Sequence, residues 1–238
     1  MNRLKKIITC IMIMALTVTI LNAQVADQTS VRAEAKNKYT GAVTLSNREK
    51  SEFQKVINGY AKKKLATNYK EAESKKYRLY EDYTIIKLGT KNVLILTGDT
   101  SIYTTSGRLI RLYYLDNNKV KSIDTAGERN WLAGYNKYDG SIAIGFYMGQ
   151  HPIWSEKISK GKIKAYNKLC KDAQISIDKY GYSYNDKIIS KKKFKQLNKK
   201  YYSNVCDIKM LKIQKNNTIK KSYNCVTNKK LSEEDLYM

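Results

Sequence analysis

The sequence predicts an α+β fold: an antiparallel β-meander with an N-terminal amphipathic helix and a short basic helix near the C-terminus. Three observations carry this. Phe53, Val56, Ile57 and Tyr60 recur at i, i+3, i+4 and i+7, the stripe of a helix that covers an apolar surface. From Tyr83 onward, short runs of β-branched and aromatic residues follow one another, separated by Asn, Gly, Asp and Lys turn clusters. Hydrophobic residues make up 42% of the chain and aromatics 11%, a composition that can bury a core.

The elements follow in order. Residues 1–35 read as a signal peptide. Arg3, Lys5 and Lys6 form a positive start, Ile7 to Leu21 an uncharged apolar run, and small residues follow. The run is shorter than the roughly 20 residues a membrane-spanning helix needs. Ala33-Glu34-Ala35 fits the cleavage pattern, so processing after Ala35 is expected, with Ala23 as the alternative. An uncleaved N-terminal anchor is the competing reading. The expected localisation is secreted, extracellular or cell-wall-associated, with no transmembrane segment after signal removal.

Residues 36–45 form a polar, flexible leader. Ser46 and Glu49 have the spacing of a capping box that starts the amphipathic helix. Strands are expected at Tyr83–Leu88, Asn92–Thr97, Arg108–Leu115 and Lys119–Ile123, joined by Gly89-Thr90-Lys91 and Asp116-Asn117-Asn118 turns. Ser141–Gly149 alternates large and small residues, with Ile142, Ile144, Phe146 and Met148 on the face that should meet the core. Ile153–Ser159 and Lys162–Leu169 flank Lys160-Gly161, and Tyr180–Tyr184 adds a strand. Ser190 caps the basic helix to Tyr201, and Asp207–Gln214 with Thr218–Tyr223 reads as a last hairpin. Residues 46–230 form a single α+β domain, and residues 231–238 an acidic tail.

Formal net charge is +24, and removal of residues 1–35 leaves it near +22. Such an excess draws a protein to polyanions with a strong salt dependence. Outside a cell these are anionic wall polymer, acidic polysaccharide, membrane headgroups or nucleic acid. The bland reading is compositional: Lys, Asn, Ile and Tyr abound together, whereas Arg, the better phosphate fork, occurs only seven times. After processing, Cys170, Cys206 and Cys225 remain. An odd number excludes full pairing, which leaves one Cys206–Cys225 bridge or three buried thiols.

Catalytic signals are sparse. His151 is the only histidine, so Cys–His chemistry would have to join it to Cys170 or Cys206, and no nucleophile motif surrounds either cysteine. The single histidine and the lack of a CxxC leave no zinc set, and no glycine loop cradles phosphate, so no metal, cofactor or nucleotide is expected. Glu128, Asp124 and Asp139 cluster in sequence around Trp131, and a glycan hydrolase would set Glu128 across a cleft from Asp124 or Asp139. Tyr180, Tyr182 and Tyr184 share one face of a strand and, with Trp131 and Trp154, are the candidate ligand contacts.

The order of signal peptide, Lys-rich helix and Tyr-rich hairpins resembles uncharacterised secreted proteins of clostridial type. Many of those carry an acidic calcium loop where this chain reads Lys87-Leu88-Gly89-Thr90-Lys91-Asn92, so the resemblance implies no calcium here. Arg111-Leu112-Tyr113-Tyr114-Leu115-Asp116-Asn117-Asn118 and Tyr138-Asp139-Gly140-Ser141-Ile142-Ala143-Ile144-Gly145-Phe146 locally resemble choline- or glucan-type cell-wall-binding repeats. That resemblance implies ligand contacts at Tyr113, Tyr114, Tyr138 and Phe146. The resulting expectation is a secreted or cell-surface, non-catalytic domain that binds anionic wall polymer or glycan. The alternatives are a cell-wall hydrolase with paired carboxylates and a structural partner protein without a small ligand.

Overall fold

The computed structural model describes residues 39–99, 108–124, 130–146, 152–160, 162–176 and 179–237. The expected signal peptide at 1–35, His151 and Glu128 lie outside the described residues. In chain order the described elements begin with β1 (Val43–Thr44), α1 (Asn47–Ala61), β2 (Lys64–Leu65), α2 (Tyr69–Ala72) and β3 (Tyr77–Arg78). Four longer strands follow: β4 (Asp82–Leu88), β5 (Lys91–Asp99), β6 (Arg108–Asp116) and β7 (Lys119–Asp124). Next come β8 (Asn130–Asn136), β9 (Ser141–Phe146), β10 (Pro152–Ser159), β11 (Lys162–Ser176), β12 (Lys179–Tyr184) and β13 (Lys187–Ile189). The chain closes with α3 (Lys191–Tyr202), β14 (Val205–Ile208), β15 (Leu211–Lys212), β16 (Ser222–Tyr223), β17 (Val226–Lys230) and α4 (Glu233–Leu236).

The expected antiparallel, strand-dominated architecture with a few helices is present, but the meander is divided between two sheets. One has the order β15-β4-β5-β6-β7 and the other β13-β12-β11-β10-β9-β8-β14-β17. Ile86, Val93, Ile95, Leu112 and Tyr114 of the first share a buried cluster with Tyr135, Ile142, Ile144 and Ile158 of the second. The sheets therefore pack face to face.

Each outer face is covered by helix. Phe53, Ile57 and Ala61 of α1 pack on Tyr83, Ile85, Leu94 and Leu96. Phe194, Leu197 and Tyr202 of α3, with Leu236 and Tyr237, pack on Ala143, Ile153 and Leu169. This explains why β4 and β5 are apolar at consecutive positions, since alternate side chains enter different cores. It also corrects the reading of β9: Ile142 and Ile144 enter the intersheet core, but Ala143 is equally buried beneath α3.

The capping box forms as expected. The Ser46 hydroxyl accepts from the Glu49 amide at 3.2 Å, and Glu49 accepts from the Ser46 amide at 2.8 Å. Asn117 and Asn118 take left-handed φ values of 48° and 61°, the turn chemistry that joins β6 to β7.

Three sequence expectations fail. The segment 207–223 is not a hairpin: β14 pairs with β8 and β17, whereas β15 pairs with β4 in the other sheet. The leader 36–45 is not flexible throughout, because Val43 and Leu45 are buried and β1 pairs with β16, whereas the acidic tail is helix-like as expected, α4 and the following Tyr237 packing against α3. β8 was not expected, since Asn-Trp-Leu-Ala-Gly-Tyr-Asn lacks β-branched residues; pairing with β9 and β14 imposes it.

Candidate functional site

The acidic residues are placed first by strand geometry. Asp124 ends β7 opposite Arg111, while the other end of that strand, Lys119, faces Asp116. Five residues of extended chain separate those ends by about 17 Å. Asp139 lies at the Asp116 end, where both line a cavity of about 430 Å³ with Tyr39, Lys91, Lys157 and Lys160. Asp124 and Asp139 thus stand toward opposite ends of β7, and Glu128, the expected partner of either, lies outside the described residues. Asp116 is the acid that shares a cavity with Asp139, and the sequence disguised it as the first residue of a turn.

The Asp139 carboxylate is engaged by its own surroundings. One oxygen accepts from the Ser141 amide at 3.1 Å and its hydroxyl at 2.6 Å, and the other accepts from the Tyr166 hydroxyl at 2.8 Å. Asp116 has Lys91 and Lys121 each at 3.5 Å. Lys157 lies over the Tyr166 ring, 5.0 Å from its centroid. Burial raises the Tyr166 hydroxyl well above its ordinary range, which keeps it protonated as a donor to Asp139. The arrangement resembles a braced turn more than a proton-transfer pair.

The candidate aromatics are dispersed. Trp131 is 9% exposed, and its ring occupies the space that Gly145 leaves: a Cβ there would stand 2.2 Å from Trp131 Cζ2. Trp131 pairs with Gly145, whereas Trp154 pairs with Ile144, so the two indoles point to opposite faces. Trp154 borders the intersheet core, and its indole N–H donates to Glu156 at 2.7 Å.

Tyr182 packs on Phe194 and Tyr184 stacks on Tyr201, both against α3. Only Tyr180 of the three opens its ring to solvent, at 57% exposure. A row of identical residues thus divides by function: two fasten a helix, and one projects past it. Tyr113 and Tyr114 likewise split, Tyr114 to the intersheet core and Tyr113 to a hydroxyl contact with Tyr60 at 2.8 Å. Tyr138 is exposed on a turn, and Phe146 lies across the pair from Asn130. The structure brings no two of these four together as a ligand slot.

Charge gives the most coherent surface. Residues 162–202, which build β11, β12, β13 and α3, contain twelve lysines and three aspartates. Lys191, Lys192, Lys193, Lys195, Lys199 and Lys200 of α3 are all exposed, and that helix carries no acid. Asp186 is engaged by Lys168 at 2.7 Å. The Ser190 cap and the buried Phe194, Leu197 and Tyr202 hold α3 in place, so its lysines stand on a rigid mount. Outside this stretch, Glu233 and Glu234 lie on α4, and the Tyr237 that follows it packs on Phe194 and bonds Asn198.

Cys170, Cys206 and Cys225 are buried and form no disulfide among the described residues, which decides between the two sequence readings. Cys206 pairs in register with Lys230, away from Cys225. Burial raises the Cys206 thiol, the reverse of an activated nucleophile. No group of metal-ligating side chains occurs among the described residues, and no described helix is long and apolar enough to cross a membrane. No family model, curated protein or solved structure matches this chain.

Proposed function

We propose that this chain is a secreted or cell-surface domain, without catalytic activity, that binds anionic wall polymer or glycan. The observation that carries the reading is the lysine face of α3 and the adjoining strands, which is rigidly mounted and only partly balanced by acids. Exposed lysines attract over about a Debye length, ~10 Å at 0.1 M salt. A repeating polyanion places several charges within that range at once. Tyr180 supplies the one open ring of the candidate tyrosines on that side.

Co-sedimentation with purified cell-wall sacculi over a salt series tests this. The wild-type protein should pellet at low salt and release as salt rises. The K191Q/K192Q/K195Q/K199Q variant should release at lower salt. Equal retention of variant and wild type, or no binding to any wall preparation, refutes the proposal. A hydrolase using Asp116 and Asp139 is the second reading, favoured by their shared cavity. It requires reducing ends to be released from the sacculi and that release to be lost in D116N.

A further inference from the structure

The lysine-rich edge also carries apolar side chains that a hydrophilic polymer gives no use. Among the described residues only five large hydrophobics are substantially exposed: Tyr69, Tyr138, Ile175, Tyr180 and Ile188. Single exposed hydrophobics are ordinary surface features. Here three of the five, Ile175, Tyr180 and Ile188, gather at one corner of the eight-stranded sheet, at 41%, 57% and 52% exposure.

Register fixes their proximity. Tyr180 pairs with Gln174 on β11, and Ile188 pairs with Ser183, three residues farther along β12. That is about 10 Å of extended strand. Tyr180 shares the parity of Tyr182 and so lies on the α3 side. Ile188 shares the parity of Ser183 and lies on the opposite side. Ile175 crosses Gly181 on that opposite side, its Cδ1 standing 2.5 Å from where a Cβ would be. The sheet edge therefore presents apolar atoms from both faces, as a wedge. Lys179 and Lys187 flank the wedge on β12 and β13, and Lys191, Lys192 and Lys193 follow directly where α3 begins.

We propose that this corner docks edge-on into the interfacial region of an anionic lipid bilayer. A bilayer supplies both partners that the corner requires: headgroup phosphates for the lysines, and an apolar boundary for two isoleucines and a tyrosine. Tyrosine favours that boundary, with its ring toward the acyl chains and its hydroxyl in the headgroups. Neither signal suffices alone, since a few lysines or a few apolar side chains bind reversibly and weakly, whereas the two together add. A phosphate or uronate polymer satisfies the lysines only. The inference uses the same edge as the wall-polymer reading but does not depend on it.

The test uses the processed chain beginning at Lys36, which contains every described element and lacks the apolar signal segment. Vesicles of phosphatidylglycerol and phosphatidylcholine should bind it, and vesicles of phosphatidylcholine alone should not. I175S/I188S should lower partitioning about tenfold by removing apolar insertion, with an unchanged Tm and unchanged retention on sacculi. K191Q/K192Q should lower it about fivefold per lysine. In Y180W, acyl-brominated lipid should quench emission beyond the background of Trp131 and Trp154.

Vesicle binding that is indifferent to I175S/I188S, with no added quenching in Y180W, overturns the proposal and leaves charge alone. Failure to bind anionic vesicles also overturns it, while binding to sacculi in the same preparation keeps the polymer reading. Vesicle binding without sacculus binding does the reverse.

Discussion

Glu156 should make this fold less stable at neutral pH than at mildly acid pH, and Glu156→Gln should remove that penalty. The residue is 4% exposed and stands on β10 between Trp154 and Ile158, opposite Ile142 on β9 and Ala165 on β11. One carboxyl oxygen accepts from Trp154, and the other has no partner among the described residues. Burial raises its pKa above the ordinary 4.5, and the Trp154 bond opposes the rise without cancelling it. The folded protein therefore holds this proton to higher pH than the unfolded chain does. Stability from the protonated acid is fully present below 4.5 and is lost as pH rises through the folded value. Within that window the loss is about 1.4 kcal/mol per pH unit, and above it the penalty is constant.

Glu156→Gln keeps an acceptor for Trp154 and cannot ionise. Urea unfolding should show it more stable than wild type at pH 7.5, by a margin that opens above pH 4.5 and levels off above the folded value. For a chain of this size each 1 kcal/mol so gained raises Tm by about 2–4 °C. At pH 4 the two proteins should agree to within about 0.5 kcal/mol. Subtracting one pH profile from the other cancels every other titrating group and isolates Glu156. Parallel profiles from pH 4 to 8, or a less stable variant at pH 7.5, would refute the argument, because the carboxylate would then be solvated or paired.

The other predictions concern packing and thiol access. Gly145→Ala should cost about 1–3 kcal/mol in urea unfolding, because the new methyl meets the Trp131 ring at 2.2 Å. Trp131→Leu in that background should recover part of the loss. Cys170, Cys206 and Cys225 should resist N-ethylmaleimide in the native protein and react fully in guanidinium, read by peptide mass spectrometry. Rapid native labelling of Cys206 would contradict its burial.

Local features were legible in the sequence where their causes are local. The Ser46–Glu49 box, the Asn117-Asn118 turn, the α1 stripe and the Ser190 cap each depend on a few neighbouring residues, and each is present. The candidate site was harder to read, because aromatic and acidic residues look alike whether they meet a ligand or the protein. Trp131 is a candidate ligand contact by residue type, yet its ring fills the gap above Gly145 across a strand pair. The carboxylate pair expected from sequence joins Glu128 to Asp124 or Asp139, and Glu128 lies outside the described residues; what strand direction adds is Asp116, which shares the cavity of Asp139.

By itself the sequence determined the antiparallel, strand-rich class, the helix that covers a sheet, and a lysine excess concentrated late in the chain. Those follow from periodicity, turn chemistry and composition, which operate over a few residues at a time. Only the tertiary structure decided that the strands divide into two facing sheets, because that depends on which strand pairs with β14 and β15 across long stretches of chain. It also decided the different fates of Tyr180, Tyr182 and Tyr184. Helix α3 is long enough to cover two of the three rings, and the third is left at the corner with Ile175 and Ile188.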